Sequence, residues 1–388
     1  MTFIEGADRS LGPIIVVFLV AGLLALVVTP IVRRIVLRFD IVDRPSARRV
    51  NTAPVPRGGG MAIATAFLIV GVGFVILNER AGWVPEVLTL ADTDMIALFL
   101  GGAVAAAIGA LDDLFDLRAR WQLGGQAALA ILAVTLGIGV DFIANPFGGG
   151  VIPFNEAFSV GFTVFWIVGM INSINWIDGL DGLSTGIALI AAVTLGVISL
   201  TTQGTTQVSQ PLIAVLCFAL AGALLGFLRW NFHPATIFSG TSGVQFVGFT
   251  LAVLAILGSA KVAVALLVLG VPIIDTFWII VRRLLNRRSP FTPDRSHIHH
   301  RLLDLGLSHR ETVLVIFGIC VVLGLVALVL SEDSQLYAFL GVFVVSGLVL
   351  FGPTRGAFRR PEELEAEAYE TGAVDAPPGG SRPGGSRH

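Results

Sequence analysis

Residues 162–186 read FTVFWIVGMINSINWIDGLDGLSTG, and they change from apolar to polar within one segment. Its first nine residues are apolar except for one threonine, as in a helix that is embedded in lipid. The stretch then becomes polar, because two asparagines and two aspartates follow within residues 172–181. Polar groups inside a bilayer are costly unless they have partners or a function. The pattern therefore predicts a membrane helix that ends in a polar site.

The composition of the whole chain extends this prediction. Of its 388 residues, 55% are hydrophobic and 13% are charged, and the mean hydropathy is +0.85. A soluble domain carries about 25% charged residues. About 20 apolar residues in a row span a bilayer, and such runs recur along this chain. We therefore predict an all-α, polytopic integral membrane protein.

We predict eleven membrane-spanning helices. They cover residues 13–37, 59–78, 94–111, 122–140, 158–177, 183–201, 211–228, 243–259, 262–281, 312–330 and 336–352. Residues 141–155 contain glycine and proline and predict an external loop or small hairpin. We assign residues 1–355 to a single transmembrane domain. Residues 356–388 are rich in Pro, Gly and acidic residues and are predicted to be a disordered tail.

The placement of lysine and arginine predicts the orientation. Cytoplasmic loops of membrane proteins are enriched in these residues. With the N-terminus outside, all but three of the 25 basic residues lie on the inner side, and the exceptions are Arg9, Arg80 and Lys261. We therefore predict an outside N-terminus and a cytoplasmic C-terminus.

The polar clusters of the chain all fall on this predicted inner side. They follow the first, third, fifth, seventh and ninth spans, whereas the outer loops carry few polar groups. A transporter or flippase would place polar groups near the middle of the bilayer. The one-sided pattern instead favours an active site at the cytoplasmic surface.

One cluster is the DDxxD motif formed by Asp112, Asp113 and Asp116. Residues three and four positions apart share a helix face, so these carboxylates would repel one another without a bound cation. Mg²⁺ is often held by one or two carboxylates together with substrate phosphates. The alternative is that the acids only cap a helix end.

A second cluster contains Asn172, Asn175 and Asp178, which are three residues apart and form a polar stripe. Gly179 and Gly182 follow, and glycine allows a phosphate or a neighbouring backbone to approach closely. The alternative is a helix cap, although one Asn or Asp would be sufficient for that.

A third cluster lies in one inner loop and contains Arg295, His297, His299, His300 and Arg301. Arginine and imidazole groups can donate hydrogen bonds to a pyrophosphate. Zinc binding is the competing interpretation, although HxHH lacks a typical zinc spacing and no cysteine lies nearby. A merely positive inner loop would explain the arginines but not the histidines.

Together, these motifs resemble the polyprenyl-phosphate N-acetylhexosamine-1-phosphate transferases, bacterial enzymes that start lipid-linked glycan assembly. The resemblance covers about residues 13–350 and rests on DRPSARRVNTAPVPRGGG, GALDDLFDLR, NSINWIDGLDGLS, NFHPATIFSG, PIIDT and DRSHIHHRLL. It implies eleven spans with an outside N-terminus. It also implies transfer of a sugar 1-phosphate from a UDP-sugar to undecaprenyl phosphate, with release of UMP. The histidine loop is similar to the branch that uses UDP-N-acetylglucosamine or a similar sugar. The alternative is the phospho-N-acetylmuramoyl-pentapeptide transferase branch.

The resemblance also implies roles for individual residues. The implied catalytic residues are Asp112, Asp113, Asp178, Asp181 and His297. The implied Mg²⁺ ligands, with Mn²⁺ as an alternative metal, are Asp112, Asp113, Asn175 and Asp178. The implied substrate-binding residues are Arg57, Asn172, Phe238, Asp275, Arg295, His299 and His300. Among these, Phe238 would stack on uracil, the three histidines would hold the pyrophosphate, and Asp178 and Asp181 would line the nucleotide site.

The implied partners are a UDP-sugar, undecaprenyl phosphate, the bacterial plasma membrane and a second copy of the chain, but no nucleic acid. One residue departs from the family pattern, because Thr241 stands where the family carries a metal-binding aspartate. Either the remaining acids hold the metal, or metal binding is weak, or the chain is a non-catalytic relative that binds polyprenyl phosphate.

Overall fold

The computed structural model describes residues 2–44, 54–84, 88–145, 151–201, 210–258, 261–285, 287, 297–330 and 332–351. Within these ranges, thirteen helices and four short strands form. The helices are α1 (Thr2–Arg38), α2 (Gly60–Ala81), α3 (Thr93–Phe115), α4 (Ala119–Thr135), α5 (Glu156–Ile177), α6 (Leu183–Thr201), α7 (Gln210–Asn231), α8 (Gly240–Leu257), α9 (Lys261–Val268), α10 (Gly270–Leu285), α11 (Ile298–Asp304), α12 (His309–Val329) and α13 (Glu332–Phe351). The strands are β1 (Val42–Asp43), β2 (Val55–Pro56), β3 (Phe142–Ala144) and β4 (Val151–Pro153).

The helices confirm the predicted all-α membrane fold. Within the described residues, eight helices are long and apolar enough to cross a membrane, and α9 with α10 would make a ninth crossing. Helix α4 has 17 residues and the apolar part of α13 covers Ser334–Gly347, so both are shorter. Counting these two would give the predicted eleven spans. That number and the orientation of the termini remain predictions.

The predicted span 262–281 is not one straight helix. Helices α9 and α10 are bent by 79° relative to each other at Leu269. Pro272 lies just after this break and has no backbone N–H to bond the carbonyl four residues earlier. The proline explains why the helix bends here, and the bend turns α10 toward α5.

Helix α8 lies at the centre of the bundle and is buried along most of its length, with α3 and α5 packed against it. Helix α2 also approaches α8 closely. A Cβ atom on Gly60 would lie only 2.0 Å from the Cα of Gly243, so the two backbones touch. This contact presses the start of α2 against the start of α8, where the polar residues lie.

The outward faces of the helices are apolar. Leu23 and Val27 of α1 are 61% and 60% exposed, and Phe165 of α5 is 71% exposed. Large exposed apolar surfaces are unusual in soluble proteins, but they are expected where lipid replaces water. These faces therefore match a bundle that is surrounded by lipid.

Two antiparallel hairpins connect helices. Strands β3 and β4 pair Phe142 with Pro153, which confirms the predicted hairpin between α4 and α5. Strands β1 and β2 pair Val42 with Pro56 and precede α2. The contacts within the chain divide it into two compact units, residues 1–341 and residues 342–388. The predicted tail, residues 356–388, lies outside the described residues.

Candidate active site

Asp113 connects the end of α3 to the start of α8. Its side chain is only 4% exposed. Its two carboxylate oxygens accept hydrogen bonds from the backbone N–H groups of Thr241 (2.8 Å) and Ser242 (3.0 Å). The first N–H groups of a helix have no partner within the helix and favour a negative charge. Asp113 thus satisfies two of these groups in α8 from a different helix.

Asp112 lies beside it and is held by three neutral donors. Its Oδ1 accepts from the Leu117 N–H (3.0 Å) and from the Gln122 side chain (2.7 Å). Its Oδ2 accepts from the Thr241 hydroxyl at 2.6 Å. The residue that replaces the expected aspartate is therefore a direct partner of the DDxxD motif. Its hydroxyl orients Asp112 without adding charge.

Arg57 supplies a positive charge next to these acids. Its guanidinium donates to the carbonyl of Asp113 (2.9 Å) and pairs with the carboxylate of Asp116 (2.5 Å). The Asp116 side chain is 78% exposed, whereas that of Arg57 is 20% exposed. Asp116 therefore points to solvent, and Arg57 lies between it and the buried aspartates.

Asp178 caps the end of α5 and joins the same network. Its oxygens accept from the hydroxyls of Ser184 (2.5 Å) and Ser239 (2.6 Å). Burial raises the pKa of the Asp178 carboxyl above its ordinary value, against the opposing effect of the two hydroxyls. Ser239 immediately precedes α8, so the segment from Ser239 to Ser242 bonds Asp112, Asp113 and the partly buried Asp178.

Asp181 has a different environment, formed by two histidines. Its Oδ2 accepts from the Ala235 N–H (3.0 Å) and lies 2.7 Å from Nδ1 of His233. Its own backbone N–H donates to Nε2 of His309 at 3.0 Å. The two imidazole rings stack, with centroids 4.1 Å apart. The three residues also offer ligand atoms within 4.8 Å of one another.

Asp275 of α10 forms a similar pair with the histidine loop. Its Oδ2 lies 2.7 Å from Nδ1 of His297, and its Oδ1 accepts from the Ile298 N–H (2.9 Å). Since Ile298 begins α11, Asp275 holds both the first histidine of the motif and the helix that follows it. Both side chains are largely buried.

His299 links the histidine loop to the turn after α5. It is 1% exposed, and a Cβ atom on Gly179 would lie 2.3 Å from its Nε2. Burial and the neighbouring histidines lower the pKa of His299 to about 2, so its imidazole is neutral. His300 lies next to it, with ring centroids 4.4 Å apart. Arg295 lies outside the described residues.

Phe238 belongs to the loop that connects α7 and α8. Its backbone bonds Pro56 and Gly59, at 2.8 Å and 2.9 Å, which joins this loop to the residues before α2.

Asn172 of α5 contacts α4, because its amide donates to the Gln126 side chain at 2.6 Å. Asn175 lies one turn further along α5 and is partly buried.

An apolar cavity of about 310 Å³ lies between α5 and α10. Its walls are formed by large apolar side chains, including Phe165, Trp166, Ile273 and Phe277. Phe165 and Phe277 are exposed, so the cavity opens toward the lipid-facing surface. Asn172 also lines the cavity, on the part of α5 that continues to Asp178. The cavity is thus an apolar groove along α5, the helix that ends at the Asp178 cap.

Comparison with known proteins identifies the family. Residues 95–259 match glycosyl transferase family 4. The chain is 37% identical over 355 residues to the "Probable undecaprenyl-phosphate N-acetylglucosaminyl 1-phosphate transferase" of Bacillus subtilis (strain 168), a match that covers 89% of this chain and 91% of that protein. The chain belongs to glycosyl transferase family 4.

Two further relatives match this chain over similar shares of its length. The "Decaprenyl-phosphate N-acetylglucosaminephosphotransferase" of Mycolicibacterium smegmatis is 35% identical and the match covers 89% of each chain. The "Undecaprenyl-phosphate alpha-N-acetylglucosaminyl 1-phosphate transferase" of Thermotoga maritima is 30% identical, over 81% of this chain and 88% of that protein. The resemblance stated from the motifs is confirmed.

Most of the residues predicted for a glycosyl transferase family 4 site lie in one connected polar region. Asp112, Asp113 and Asp178 share the start of α8, and Gly179 contacts His299. The motifs did not identify His233 and His309 or the hydroxyl donors Ser184 and Ser239 as site residues. The NFHPA motif contains His233, but its partner Asp181 is 52 residues away, and only the fold reveals the pairing.

The predicted Mg²⁺ ligands supply the appropriate donor type. Asp112, Asp113 and Asp178 provide carboxylate oxygens, which a hard cation prefers. Oδ1 of Asp112 already accepts two hydrogen bonds, whereas its Oδ2 accepts one and keeps a lone pair for a cation. Among the residues that the structure describes, they do not form a compact three-ligand group as Asp181, His233 and His309 do. Such acids fit a cation that shares its coordination with substrate phosphates.

Proposed function

We propose that this protein transfers N-acetylglucosamine 1-phosphate from UDP-N-acetylglucosamine to undecaprenyl phosphate. An oxygen of the lipid phosphate attacks the phosphorus that carries the sugar. The bridging P–O bond to the nucleotide breaks, and UMP leaves. The product is a lipid diphosphate that carries N-acetylglucosamine. The main support is the 37% identity to the Bacillus subtilis relative, which extends over 89% of this chain.

The apolar groove supports a lipid substrate. A polyprenyl chain is as apolar as the walls formed by Trp166, Ile273 and Phe277 and would enter from the membrane. In the proposed complex its phosphate lies beyond Asn172, toward Asp178. Asp112 and Asp113 would then adjoin the lipid phosphate.

The aspartates around the start of α8 support a role for a divalent cation in the proposed reaction. Asp112, Asp113 and Asp178, with Asn175, would hold Mg²⁺ or Mn²⁺ together with the substrate phosphates. The cation would neutralise charge on the transferring phosphate. Arg57 adds a fixed positive charge beside the same acids. Positioning and electrostatic stabilisation supply most of the catalysis in phosphoryl transfer.

The nucleotide would bind on the side of Asp178, Asp181 and Phe238, with the pyrophosphate near His297 and His300. His299 is neutral and packed on Gly179, so we assign it a role in holding the histidine loop against the turn after α5. We place this region at the cytoplasmic face of a bacterial plasma membrane, with the N-terminus outside, because the basic residues concentrate on that side.

The names of the relatives favour the simple sugar over the muramoyl-pentapeptide substrate, because all three name N-acetylglucosamine. Thr241 motivates the alternative of a non-catalytic relative. Against that alternative, the Thr241 hydroxyl bonds Asp112 and the other acids keep their partners.

Release of UMP by the purified protein in detergent tests the proposal. We expect UMP to form from UDP-N-acetylglucosamine only when both undecaprenyl phosphate and Mg²⁺ are present. UDP-N-acetylmuramoyl-pentapeptide in place of the sugar nucleotide tests the other branch. Absence of UMP with every UDP-sugar, together with measurable binding of undecaprenyl phosphate, would favour the non-catalytic alternative.

A further inference from the structure

We propose that His233 contacts the nucleotide substrate through its Nε2 atom, and that Asp181 and His309 act as positioning residues that hold His233 for this contact. This inference rests on the proposed function, and it adds a residue to the site. It moves the direct contact from the carboxylate of Asp181 to the imidazole of its partner.

The first argument is that one carboxylate oxygen of Asp181 is already engaged. Its Oδ2 accepts from both the Ala235 N–H and the Nδ1 position of His233. The Asp181 side chain is only 16% exposed, whereas the His233 side chain is 38% exposed. A ligand that arrives from the aqueous side therefore meets the imidazole more readily than the carboxylate.

The second argument concerns the proton on His233. An ionised carboxylate only accepts hydrogen bonds, so Nδ1 of His233 must carry the hydrogen that Asp181 receives. In the neutral ring, Nε2 is then an acceptor with a free lone pair, suited to a hydroxyl or imide N–H of a nucleoside. Asp181 thus fixes both the orientation and the tautomer of His233.

The third argument is that the surroundings hold the imidazole in place. The His309 ring stacks on it with an interplanar angle of 20° and a centroid distance of 4.1 Å. The Arg310 guanidinium donates two hydrogen bonds to the His233 carbonyl, at 3.1 Å and 3.3 Å. Backbone and ring are both restrained, and such preorganisation lowers the entropy cost of a binding contact.

Comparison with the second Asp–His pair supports a contact role. Asp275 and His297 show the same geometry, with Nδ1 of the histidine on one carboxylate oxygen. In that pair the side chains are only 9% and 11% exposed. The Asp181–His233 pair has the same geometry at a more solvent-exposed position, where a ligand can reach it.

A metal ion is the competing occupant of Asp181, His233 and His309. Against it, one ring nitrogen of each histidine, Nδ1 of His233 and Nε2 of His309, is already hydrogen-bonded to Asp181. The two stacked rings also direct their in-plane lone pairs along nearly parallel planes rather than toward one point. A tetrahedral zinc site needs ligands that converge on one ion.

The position of His233 favours the water-soluble substrate over the lipid. The apolar cavity is lined by residues of α4, α5, α9 and α10, and none comes from the loop that carries His233. That loop instead continues to Ser239 and Thr241, which bond Asp178 and Asp112. A nucleotide on His233 would therefore extend its phosphates toward these acids.

Substitutions at His233 separate contact from positioning. In His233→Asn, the side-chain amide reproduces the Nδ1 position and keeps a hydrogen bond to Asp181, but nothing replaces Nε2. In His233→Gln, the amide reaches the Nε2 position instead. The measurements are the Kd of UMP for the full-length protein in detergent, the KM for UDP-N-acetylglucosamine, and the melting temperature.

We expect His233→Asn to melt close to the wild type and to raise the Kd and the KM about tenfold, as for the loss of one hydrogen bond. We expect His233→Gln to bind UMP better than His233→Ala. Wild-type affinity in His233→Asn would overturn the inference. If His233→Asn does not fold, equal binding by His233→Gln and His233→Ala would overturn it. Saturable Zn²⁺ binding that is abolished in His233→Asn, with unchanged UMP affinity, would also overturn it. A wild type that neither binds nor releases UMP would refute the proposed function itself.

Discussion

The site contains two groups of aspartates with different partners. Among the residues that the structure describes, the donors to Asp112, Asp113 and Asp178 are hydroxyls, an amide and backbone N–H groups. Asp181 and Asp275 each pair with Nδ1 of a histidine and with one backbone N–H. The first group lies around the start of α8. The second group forms hydrogen bonds with the loops that carry His233 and His297.

The difference indicates two uses of the same side chain. Neutral donors hold a carboxylate in place without cancelling its charge, so the charge remains available to a cation. An imidazole partner shares that charge and acquires a fixed tautomer, so the free ring nitrogen becomes the functional atom. We therefore assign the first group to the cation and phosphates, and the second group to the positioning of histidines.

The largest expected effect comes from removing charge from the first group. We predict that Asp112→Asn lowers UMP release about 100- to 1,000-fold, as is typical when electrostatic stabilisation of a transition state is lost. Asp116→Asn is the matched control, because its side chain is 78% exposed and its surface ion pair with Arg57 contributes little. Similar losses in both variants would contradict the special role of the buried carboxylate.

A smaller loss is expected from Gly179→Ala, which tests the contact between the turn that follows Asp178 and the histidine loop. The new Cβ atom would lie 2.3 Å from Nε2 of His299 and displace that ring. We predict at least a tenfold decrease in UMP release, whereas Gly161→Ala, which has open space around its Cβ position, stays near wild type. If the clash is the cause, Gly179→Ala has little further effect in a His299→Ala background, and an additive loss would refute this explanation.

Thr241→Asp tests whether the first group binds a cation, because it adds a negative charge beside Asp112. The new carboxylate would lie next to Asp112, where the hydroxyl now donates at 2.6 Å, and like charges repel. We predict a lower melting temperature in EDTA than for the wild type and a larger increase on adding Mg²⁺. Thr241→Val, which lacks both hydroxyl and charge, is the control. An equal Mg²⁺ response in all three proteins would exclude the cation from this position.

The smallest effect is a pH dependence of stability caused by His299. Its folded pKa is lowered to about 2 from an ordinary value of 6.5, so between these values the unfolded chain binds a proton that the folded chain does not. Its contribution to stability is therefore complete above pH 6.5 and decreases as the pH falls, by about 1.4 kcal/mol per pH unit. Thermal unfolding at pH 7.5 and 5.5 should show a larger loss for the wild type than for His299→Gln. Parallel losses would contradict the burial of a neutral imidazole.

Periodicity and composition predicted the membrane helices because a long apolar run has few alternatives. The hairpin at Phe142–Ala144 and Val151–Pro153 was likewise predictable from its glycines and proline. The 79° bend at Leu269 was missed, although Gly270 and Pro272 mark it, because an apolar run alone does not distinguish a straight helix from a broken one.

The motifs predicted which residues belong to the site but not how they pair. Asp181 bonds His309 across 128 residues of sequence, and Thr241 bonds Asp112 across 129. Such pairings depend on which helix ends meet in three dimensions. For the same reason the sequence marked Thr241 as a lost ligand, whereas the structure shows it as the donor that orients Asp112.

The most direct test of the division between the two groups is a pair of titrations of UMP release, one with Mg²⁺ and one with UDP-N-acetylglucosamine, on Thr241→Asp and His233→Asn. We predict that Thr241→Asp lowers the Mg²⁺ concentration needed for half-maximal activity and leaves the KM for UDP-N-acetylglucosamine unchanged. We predict that His233→Asn raises that KM about tenfold and leaves the Mg²⁺ requirement unchanged. If both variants shift the same titration, the two groups of aspartates do not have separate roles.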